Sequence, residues 1–555
     1  MTRTACLLLF LLLIFTPDIF AQKAAEDKEV PGQEKSEKKK DPALEQYFIA
    51  TTAFNRKLYP VAVSQFEGFL EAHGTHAKAD LGRRGLALSL YALKQYDKAL
   101  PHFALLVADE ELDATINFER IIMLYGQCMM LTGKRDEAKE LFVAQIKKLK
   151  SESFRTAALA VICDVSFSSK AWQQVGQWSE QLLTAKLDDE QRARGLYQQG
   201  YAYYQMKKTA ESVAALSKIA QLKANKLWNT RANYLLGACY NLLKQHDKAE
   251  LAFASALPGL EDPEALECLY RLGLARFVLK KYPEAAADLA GYLEKAGNGP
   301  HAAEARFYIA RSLFERGDYE ESGTEFTTIA AGEGSIAAQA SLWLARVSTR
   351  GVKDYTRAAE VLADAIERFE DSPVITDIRF DYANVLMALD APDWQAALAL
   401  LEQVEGSDTF SQTAELLNQR AVCQHKLKDY KGSLATSVEF LADYGDHPLA
   451  ADGRFVKAEN LLLLNRLEEA AKAYGEFLSA HQEHPNRVTA LFRTAQINHG
   501  QGRWEECLKT ARGLLENPPQ GTLFAQLPFI VGDCLFRQEK WQPAVASLQS
   551  FVAPR

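Results

Sequence analysis

The histidines of this chain are the side chains best suited to bind a metal ion, and their spacing argues against it. His73 and His76 stand three residues apart, as do His481 and His484. Each pair falls in a predicted loop without an obvious third ligand, whereas a useful site needs three or four ligands in fixed geometry. We therefore predict that the protein binds no metal ion and needs no cofactor.

The cysteines are the next candidates, for redox chemistry or for disulfides. The sequence has eight, Cys6 among them, and no two are spaced as CxxC. Five of the other seven occupy small-residue positions of a repeated pattern, where cysteine can replace alanine in an apolar core. The spacing does not suggest a disulfide framework. If any pair is bonded, Cys507 and Cys534, which lie in adjacent repeats, are the first to test.

Motifs typical of enzymes do not occur in the sequence. It contains no glycine-rich phosphate loop, no HExxH and no GxSxG. Adjacent acids such as Glu320 with Glu321 and Glu468 with Glu469 are predicted on exposed helix faces or turns, where they increase solubility. We therefore predict that the protein is not an enzyme.

All of these residues are positioned by one motif, which repeats about every 37 residues from near residue 42 to the C-terminus. A small residue recurs in the second half of each unit, at Ala62, Ala99, Ala138, Val175, Ser212, Ala249, Ala285, Ser322, Ala358, Ala397, Ser433, Ala470, Cys507 and Ala544. Such a period indicates a solenoid, in which each unit packs on its neighbours. Function is then expected on the surface that the stack presents.

Each unit is predicted to be a pair of short amphipathic helices. In residues 193–229, Gly200 lies on the apolar face of the first helix and Ser212 on that of the second. Both are small because the two helices are expected to cross there. An aromatic residue begins the second helix at Tyr59, Tyr96, Trp172, Tyr282, Tyr319, Tyr355, Trp394, Tyr430, Trp504 and Trp541.

Two segments carry this pattern clearly, LGACYNLLKQHDKAELAF (236–253) and IARSLFERGDYEESGTEF (309–326). They resemble the tetratricopeptide repeat family, in which a small residue and a turn aromatic precede Ala and Phe of the second helix. The resemblance covers residues 44–555 and implies an all-α, right-handed α-solenoid of about fourteen helical hairpins. In that family the first helices line the concave side.

The units are about three residues longer than the family period of 34. Their longer linker resembles bacterial envelope repeat proteins, such as the repeat lipoprotein of the outer-membrane β-barrel assembly machine and the periplasmic repeat protein associated with the Tol-Pal system. The chain lacks the lipoprotein cysteine of the former and the N-terminal coiled coil of the latter. The resemblance therefore implies a class, an envelope adaptor in outer-membrane biogenesis, without a specific role.

The N-terminal residues predict export. Residues 1–21 combine a basic start at Arg3, an apolar run and a small residue, Ala21, where a signal peptidase could cut. This signal peptide is either cleaved or retained as a membrane anchor. Residues 22–43 are highly charged and are predicted to be a disordered linker. We expect an exported protein, periplasmic or at the cell surface.

A candidate binding surface follows from aromatic residues that recur on the first helices, with arginines beside them in the central units. The predicted partner-binding residues on the concave face are Arg194, Tyr197, Tyr201, Tyr204, Arg231, Tyr234, Tyr270, Phe277, Phe307, Arg311 and Phe314. Two interpretations stay open. The rings either complete the core between adjacent units, or form a track for an extended peptide, a partner helix or stacked sugar rings.

The predicted function is a non-catalytic scaffold that binds other envelope proteins or an extended peptide. The alternative is a glycan-handling protein of polysaccharide export or of peptidoglycan. The Lys and Asn of the family's carboxylate clamp are not found, although Arg194 and Arg231, at equivalent positions, could bind an acidic ligand. The net charge of −8 argues against nucleic acid.

Overall fold

A computed structural model describes residues 41–109, 117–407, 410–516 and 520–552. These residues form 28 α-helices and no strand, which confirms the predicted all-α repeat fold. Helix α1 begins at Pro42 and is capped by Asp41, whose carboxylate accepts a 2.9 Å hydrogen bond from the Ala43 amide. Pro42 and Ala43, predicted as linker, are thus helical. The predicted signal peptide and residues 22–40 lie outside the described residues.

The chain divides into two compact units, of which the N-terminal one is Met1–Lys280. Its described helices are α1 Pro42–Asn55, α2 Tyr59–His73, α3 Ala79–Ala92, α4 Tyr96–Ala108, α5 Phe118–Leu131, α6 Arg135–Gln145, α7 Glu152–Ser168, α8 Trp172–Thr184, α9 Asp189–Gln205, α10 Thr209–Leu216, α11 Lys226–Leu242, α12 His246–Ala256 and α13 Glu264–Val278. Helices α1 to α12 pair in sequence as six hairpins, and α13 follows them.

The C-terminal unit is Lys281–Arg555. Its described helices are α14 Tyr282–Ala296, α15 Ala302–Arg316, α16 Tyr319–Ala330, α17 Gly334–Val347, α18 Tyr355–Arg368, α19 Ile375–Ala388, α20 Trp394–Val404, α21 Thr413–Lys426, α22 Tyr430–Asp443, α23 Ala450–Leu463, α24 Leu467–Ala480, α25 Arg487–Gly500, α26 Trp504–Glu516, α27 Leu527–Arg537 and α28 Trp541–Val552. After α14, the helices pair as seven hairpins.

Small residues set the distance between the two helices of a hairpin. A Cβ atom built on Gly237 would lie 2.6 Å from the ring of Phe253, so only glycine fits there. The Ser212 hydroxyl lies at the same kind of crossing and donates a 2.7 Å hydrogen bond to the carbonyl oxygen of Gly200. The C-terminal unit repeats this bond, from Ser322 to Ala310 (2.9 Å) and from Ser433 to Ala421 (2.7 Å). The predicted crossings are confirmed.

The aromatic residue that begins a second helix packs edge-on against a ring at the end of the first. The centroids are 5.6 Å apart for Phe167 and Trp172, and 5.4 Å apart for Phe314 and Tyr319. Edge-on pairs align the positive ring edge with the negative face of the neighbouring ring. This contact explains why an aromatic residue recurs at the start of the second helix.

Many hairpin turns contain one residue with a left-handed backbone. In the C-terminal unit Gly317 has φ +88°, whereas in the N-terminal unit Lys207 has φ +61° at the equivalent turn. The Lys208 amide donates a 2.9 Å hydrogen bond to the Tyr203 carbonyl and closes the helix end. Lysine takes the same conformation at Lys57, Lys94, Lys170, Lys244 and Lys428. The sequence pattern did not predict lysine here, because this conformation disfavours a side chain by about 1 kcal/mol.

Carboxylates near the start of first helices tie neighbouring hairpins of the N-terminal unit together. Each accepts a hydrogen bond from a backbone amide at the start of the next hairpin. The pairs, written from donor to acceptor, are Ser151 to Glu119 (2.8 Å), Lys186 to Glu152 (3.4 Å) and Lys223 to Asp189 (2.9 Å). Each bond joins a hairpin to its direct neighbour, as expected for a repeat array.

Candidate functional site

Aromatic rings of three consecutive hairpins form a connected row in the N-terminal unit, here called the aromatic ladder. Its members are Phe167 on α7, Trp172 on α8, Tyr197 and Tyr201 on α9, and Trp228 on α11. Centroids of Tyr201 and Phe167 lie 5.3 Å apart, and those of Tyr197 and Trp228 lie 5.7 Å apart. All five rings are half-buried. The ladder thus packs hairpin on hairpin and leaves part of each ring at the surface.

Two tyrosines of this region, Tyr197 and Tyr234, carry no charge at neutral pH. Burial raises the pKa of Tyr197 and of Tyr234 to about 12. Tyr204, also half-buried, packs against the apolar cores of two successive hairpins, and Tyr234 packs on Phe253 with centroids 6.1 Å apart. Phenol hydroxyls of this kind can donate and accept hydrogen bonds without attracting ions.

The two equivalent arginines of this unit have different surroundings. Arg194 makes a 2.7 Å ion pair with Asp164, a buried carboxylate on α7 that also accepts a 2.6 Å hydrogen bond from Gln198. Burial raises the pKa of Asp164, and the Arg194 charge opposes that shift. The charge of Arg194 is therefore balanced by Asp164 within the protein. Arg231 is exposed, with its guanidinium 5.9 Å from the Trp228 ring, and is the one of the two placed to meet a ligand.

Two other predicted residues of the N-terminal unit lie on α13. Tyr270 is 5 % exposed, so its ring belongs to the core. Phe277 is half-buried. At this helix the packing interpretation of the aromatic positions describes Tyr270 better than the interpretation as an open track.

The predicted rings of the C-terminal unit are also interior. Phe307 packs on Phe326 with centroids 5.7 Å apart, and Phe314 packs on Trp343 with centroids 5.2 Å apart. Phe307 and Phe314 are only 5 % and 3 % exposed. These two rings are too buried to contact a ligand. Phe314 packs against the half-buried ring of Trp343.

Arginines surround that tryptophan, in a group here called the arginine cluster: Arg311, Trp343, Arg346 and Arg350. The guanidinium carbon of Arg311 on α15 lies 3.4 Å from the Trp343 ring centroid, and that of Arg346 on α17 lies 4.6 Å from it. Arg350 lies 5.6 Å from the Phe314 ring. All three distances suit cation–π attraction. The cluster holds cationic groups around one aromatic ring.

Carboxylates fix the two inner arginines of the cluster. Arg311 makes a 3.1 Å ion pair with Glu315, and Arg346 donates a 2.7 Å hydrogen bond to Asp381 of α19. Burial lowers the pKa of Arg311, and the bond to Glu315 opposes this. The guanidiniums are thus held in place before any ligand arrives.

The sequence placed Arg311 in the candidate site but left out Trp343 and Arg346. Trp343 does stand in the series of recurring first-helix aromatics, and an arginine follows it by three residues on the same helix. Arg and Trp three residues apart share a helix face, which is the signal that could have identified the cluster.

One histidine of each predicted pair, His76 and His484, stabilises a loop. His76 and His484 each accept a hydrogen bond at Nδ1 from a backbone amide two residues later, at 3.1 and 3.2 Å. Their Nε2 atoms face Asp41 (3.2 Å) and Asp452 (3.3 Å) in the preceding hairpin. Burial and the nearby Arg454 lower the pKa of His481. Across the part of the chain that the structure describes, no group of three or more His, Cys, Asp and Glu side chains is arranged around a metal position.

One cleft of about 180 Å³ lies in the C-terminal unit beside α20 and α22. Its carboxylates Glu405 and Glu439 both form ion pairs with Arg420, so they balance that charge. Within the described residues, no helix combines the length and apolar composition needed to cross a bilayer.

Comparisons with known proteins match parts of the chain to a family of repeats. Two tetratricopeptide repeat family models match, one at residues 270–336 and 455–522 and the other at residues 194–222. No curated protein matches the sequence. A solved structure described as "Structure of Naa15/Naa10 bound to HypK-THB" is similar at 12 % identity, covering 92 % of this chain and 94 % of that one, with a TM-score of 0.31.

Proposed function

We propose that this chain, which carries tetratricopeptide repeats, is a non-catalytic scaffold that binds protein partners along the first helices of its hairpins. The observation that carries the proposal is the arginine cluster. Arg and Trp are the residues most often found at energetic hot spots of protein interfaces. Here Arg311 and Arg346 are held against Trp343 by Glu315 and Asp381, so little side-chain entropy would be lost on binding.

The chemistry of the cluster favours an extended peptide with acidic side chains. A partner carboxylate can compete with Glu315, which is 32 % exposed, for the guanidinium of Arg311. A guanidinium stacked on a ring still presents its N–H groups at the edge, where they bind a carboxylate through two parallel hydrogen bonds. The partner would thus be selected by charge and held by the ring.

The compartment that we propose is the bacterial envelope, with other envelope proteins as partners. Residues 1–21 support export because their basic start, apolar run and small residue match a signal peptide. The repeat length of about 37 residues supports the envelope type of the family through the resemblance described above. Together these features favour a periplasmic or cell-surface adaptor.

Affinity isolation from gently solubilised envelopes of the source organism tests the proposal. The tagged chain without residues 1–21 is compared with a double variant, Arg311→Ala with Arg346→Ala. Arg306→Ala, an exposed arginine on the same helix α15, is the matched control. A protein recovered with the parent and the control, but lost with the folded double variant, is the expected result.

One result would contradict the scaffold proposal, and another would contradict only the role of the arginine cluster in it. Recovery of bound glycan without protein would favour the alternative, a glycan-handling protein that uses the aromatic ladder. Equal recovery of the same protein with the parent and the double variant would show that the arginine cluster is not part of the interface. Circular dichroism of each variant shows whether a loss of partner reflects a loss of fold.

A further inference from the structure

Two positions of the repeat lie 27 residues apart in neighbouring hairpins, and the side chains at these positions contact each other. In the N-terminal unit, the Ser212 hydroxyl lies 3.3 Å from the Cys239 sulfur. In the C-terminal unit, the Asn460 amide donates a 2.6 Å hydrogen bond to the Ser433 hydroxyl. Both pairs are 27 residues apart and fully buried. Each joins the small residue of a second helix to the first helix of the next hairpin.

Cys507 and Cys534 occupy these positions in another pair of hairpins, since they too stand 27 residues apart. Cys507 lies on α26 and Cys534 lies on α27, and these two helices pack against each other across the boundary between neighbouring hairpins. Neither is exposed, and both belong to one apolar cluster with Phe492 and Leu535. The repeat register and the shared apolar cluster therefore place the two thiols beside each other.

The closeness of the two thiols affects how they ionise. Only one of them ionises readily, because a second thiolate beside it in the same apolar cluster would be repelled by the first. The thiolate is the nucleophilic form of cysteine, so the thiol that loses its proton is the one that attacks.

We propose that Cys507 and Cys534 form a disulfide while the chain folds in the presence of a disulfide-bearing oxidant. The thiolate of one cysteine attacks one sulfur of the oxidant, whose other sulfur leaves and takes up a proton. The second cysteine then loses its proton, attacks the first cysteine in this mixed disulfide and releases the second thiol of the oxidant. The chain loses two electrons and two protons, and the oxidant gains them.

Burial decides when the reaction occurs. Both sulfurs are enclosed in the folded unit, so an oxidant meets them before the hairpins close or during local opening. Once the bond has formed, the same burial protects it from reductants. All seven described cysteines, Cys507 and Cys534 included, are buried free thiols in this structure, and at Cys239 the same position faces a serine.

The test is refolding of the chain without residues 1–21 in a buffer of glutathione and glutathione disulfide. The sample is quenched with acid, denatured, treated with a maleimide and weighed by mass spectrometry. We expect two of the remaining thiols to resist the maleimide, and digestion to give one linked peptide pair containing Cys507 and Cys534. Dithiothreitol before the maleimide should restore both thiols.

Two variants control this experiment. Cys507→Ser copies the Ser212 arrangement and should leave every remaining thiol reactive. Ser212→Cys places two cysteines at the same register in the N-terminal unit and should add a second disulfide, to Cys239. Formation of this second disulfide would show that the oxidant can reach and oxidise two thiols at these repeat positions. Complete reaction of Cys507 and Cys534 with the maleimide after refolding would overturn the proposal.

Discussion

The aromatic ladder and the arginine cluster use equivalent first helices of the repeat in different ways. In the N-terminal unit, Tyr201 meets Phe167 ring to ring, and Arg194 is paired with the buried Asp164. In the C-terminal unit, Arg311 and Arg346 lie on the ring of Trp343. The same kind of helix thus carries a row of rings in contact with one another in one unit, and a ring covered by carboxylate-paired arginines in the other. The difference arises from what each arginine packs against.

The largest expected effect comes from breaking the buried pair of the N-terminal unit. Arg194→Ala leaves the carboxylate of Asp164 buried without its cation, which should lower the free energy of unfolding by about 3 to 5 kcal/mol. Urea unfolding followed by circular dichroism measures this. Arg231→Ala, at the equivalent exposed position, should change stability by less than about 0.5 kcal/mol. Similar losses for both variants would show that the two arginines do not differ.

The effect of Arg194→Ala should also depend on pH. Because burial raises the pKa of Asp164 above 3.8, the folded state binds more protons than the unfolded state just above that pH. The contribution of Asp164 to stability is therefore greatest at low pH and falls as pH rises through its folded pKa. Removing Arg194 raises this pKa further, so the stability difference from the parent should be smallest well below pH 3.8 and should grow as pH rises towards neutral. A constant difference would contradict the ion-pair explanation.

Removing the ring of the C-terminal unit should affect binding most. Trp343→Ala takes away the surface on which Arg311 and Arg346 lie and should weaken partner binding by about 2 kcal/mol or more. Calorimetric titration with the protein recovered by affinity isolation measures the change. Trp228→Ala in the aromatic ladder is the comparison and should weaken it far less. The reverse order would place the interface in the N-terminal unit.

A smaller effect separates charge from stacking within the cluster. Arg311→Lys keeps the positive charge but loses the planar group over Trp343, and should weaken binding by about 1 kcal/mol. The same titration measures it. Arg311→Ala should cost more, since it removes the charge as well. If the lysine variant binds like the parent, charge alone accounts for the role of Arg311.

The smallest expected effect compares one turn position in the two units. Lys207→Gly relieves the left-handed strain of the lysine backbone and should stabilise the protein by up to about 1 kcal/mol. Gly317→Lys in the C-terminal unit is the reverse change and should destabilise it by a similar amount. Thermal unfolding compares both variants with the parent. A loss of stability in the glycine variant would mean that the Lys207 side chain makes a stabilising contact.

The sequence predicted the repeat and its crossings well because these depend on local spacing. Gly200 and Ser212 were placed at a helix crossing by pattern alone, and a hydrogen bond joins them. The pattern places a residue on a helix face but not beside a particular residue one repeat away. For this reason the sequence pattern could not show that Arg194 forms an ion pair with Asp164.

The candidate surface was predicted only in part, for a related reason. The aromatic period marks Tyr197, Phe307 and Trp343 alike, since all stand at the same repeat position. Their exposure differs with the side chains of adjacent hairpins, so Phe307 is buried while Trp343 is half-buried. The left-handed lysines also escaped prediction, because each is strained locally and held by the hydrogen bonds of the hairpin.

The carboxylate ties of the N-terminal unit have a mechanical consequence. Glu119, Glu152 and Asp189 each link a hairpin to the next one, so these bonds add to the helix packing that resists separation of adjacent hairpins when the unit is pulled. Because each bond connects only adjacent hairpins, breaking one releases a single length of chain and leaves the remaining stack able to carry load. Under tension the unit should extend in a series of similar steps and regain its length when the force is removed.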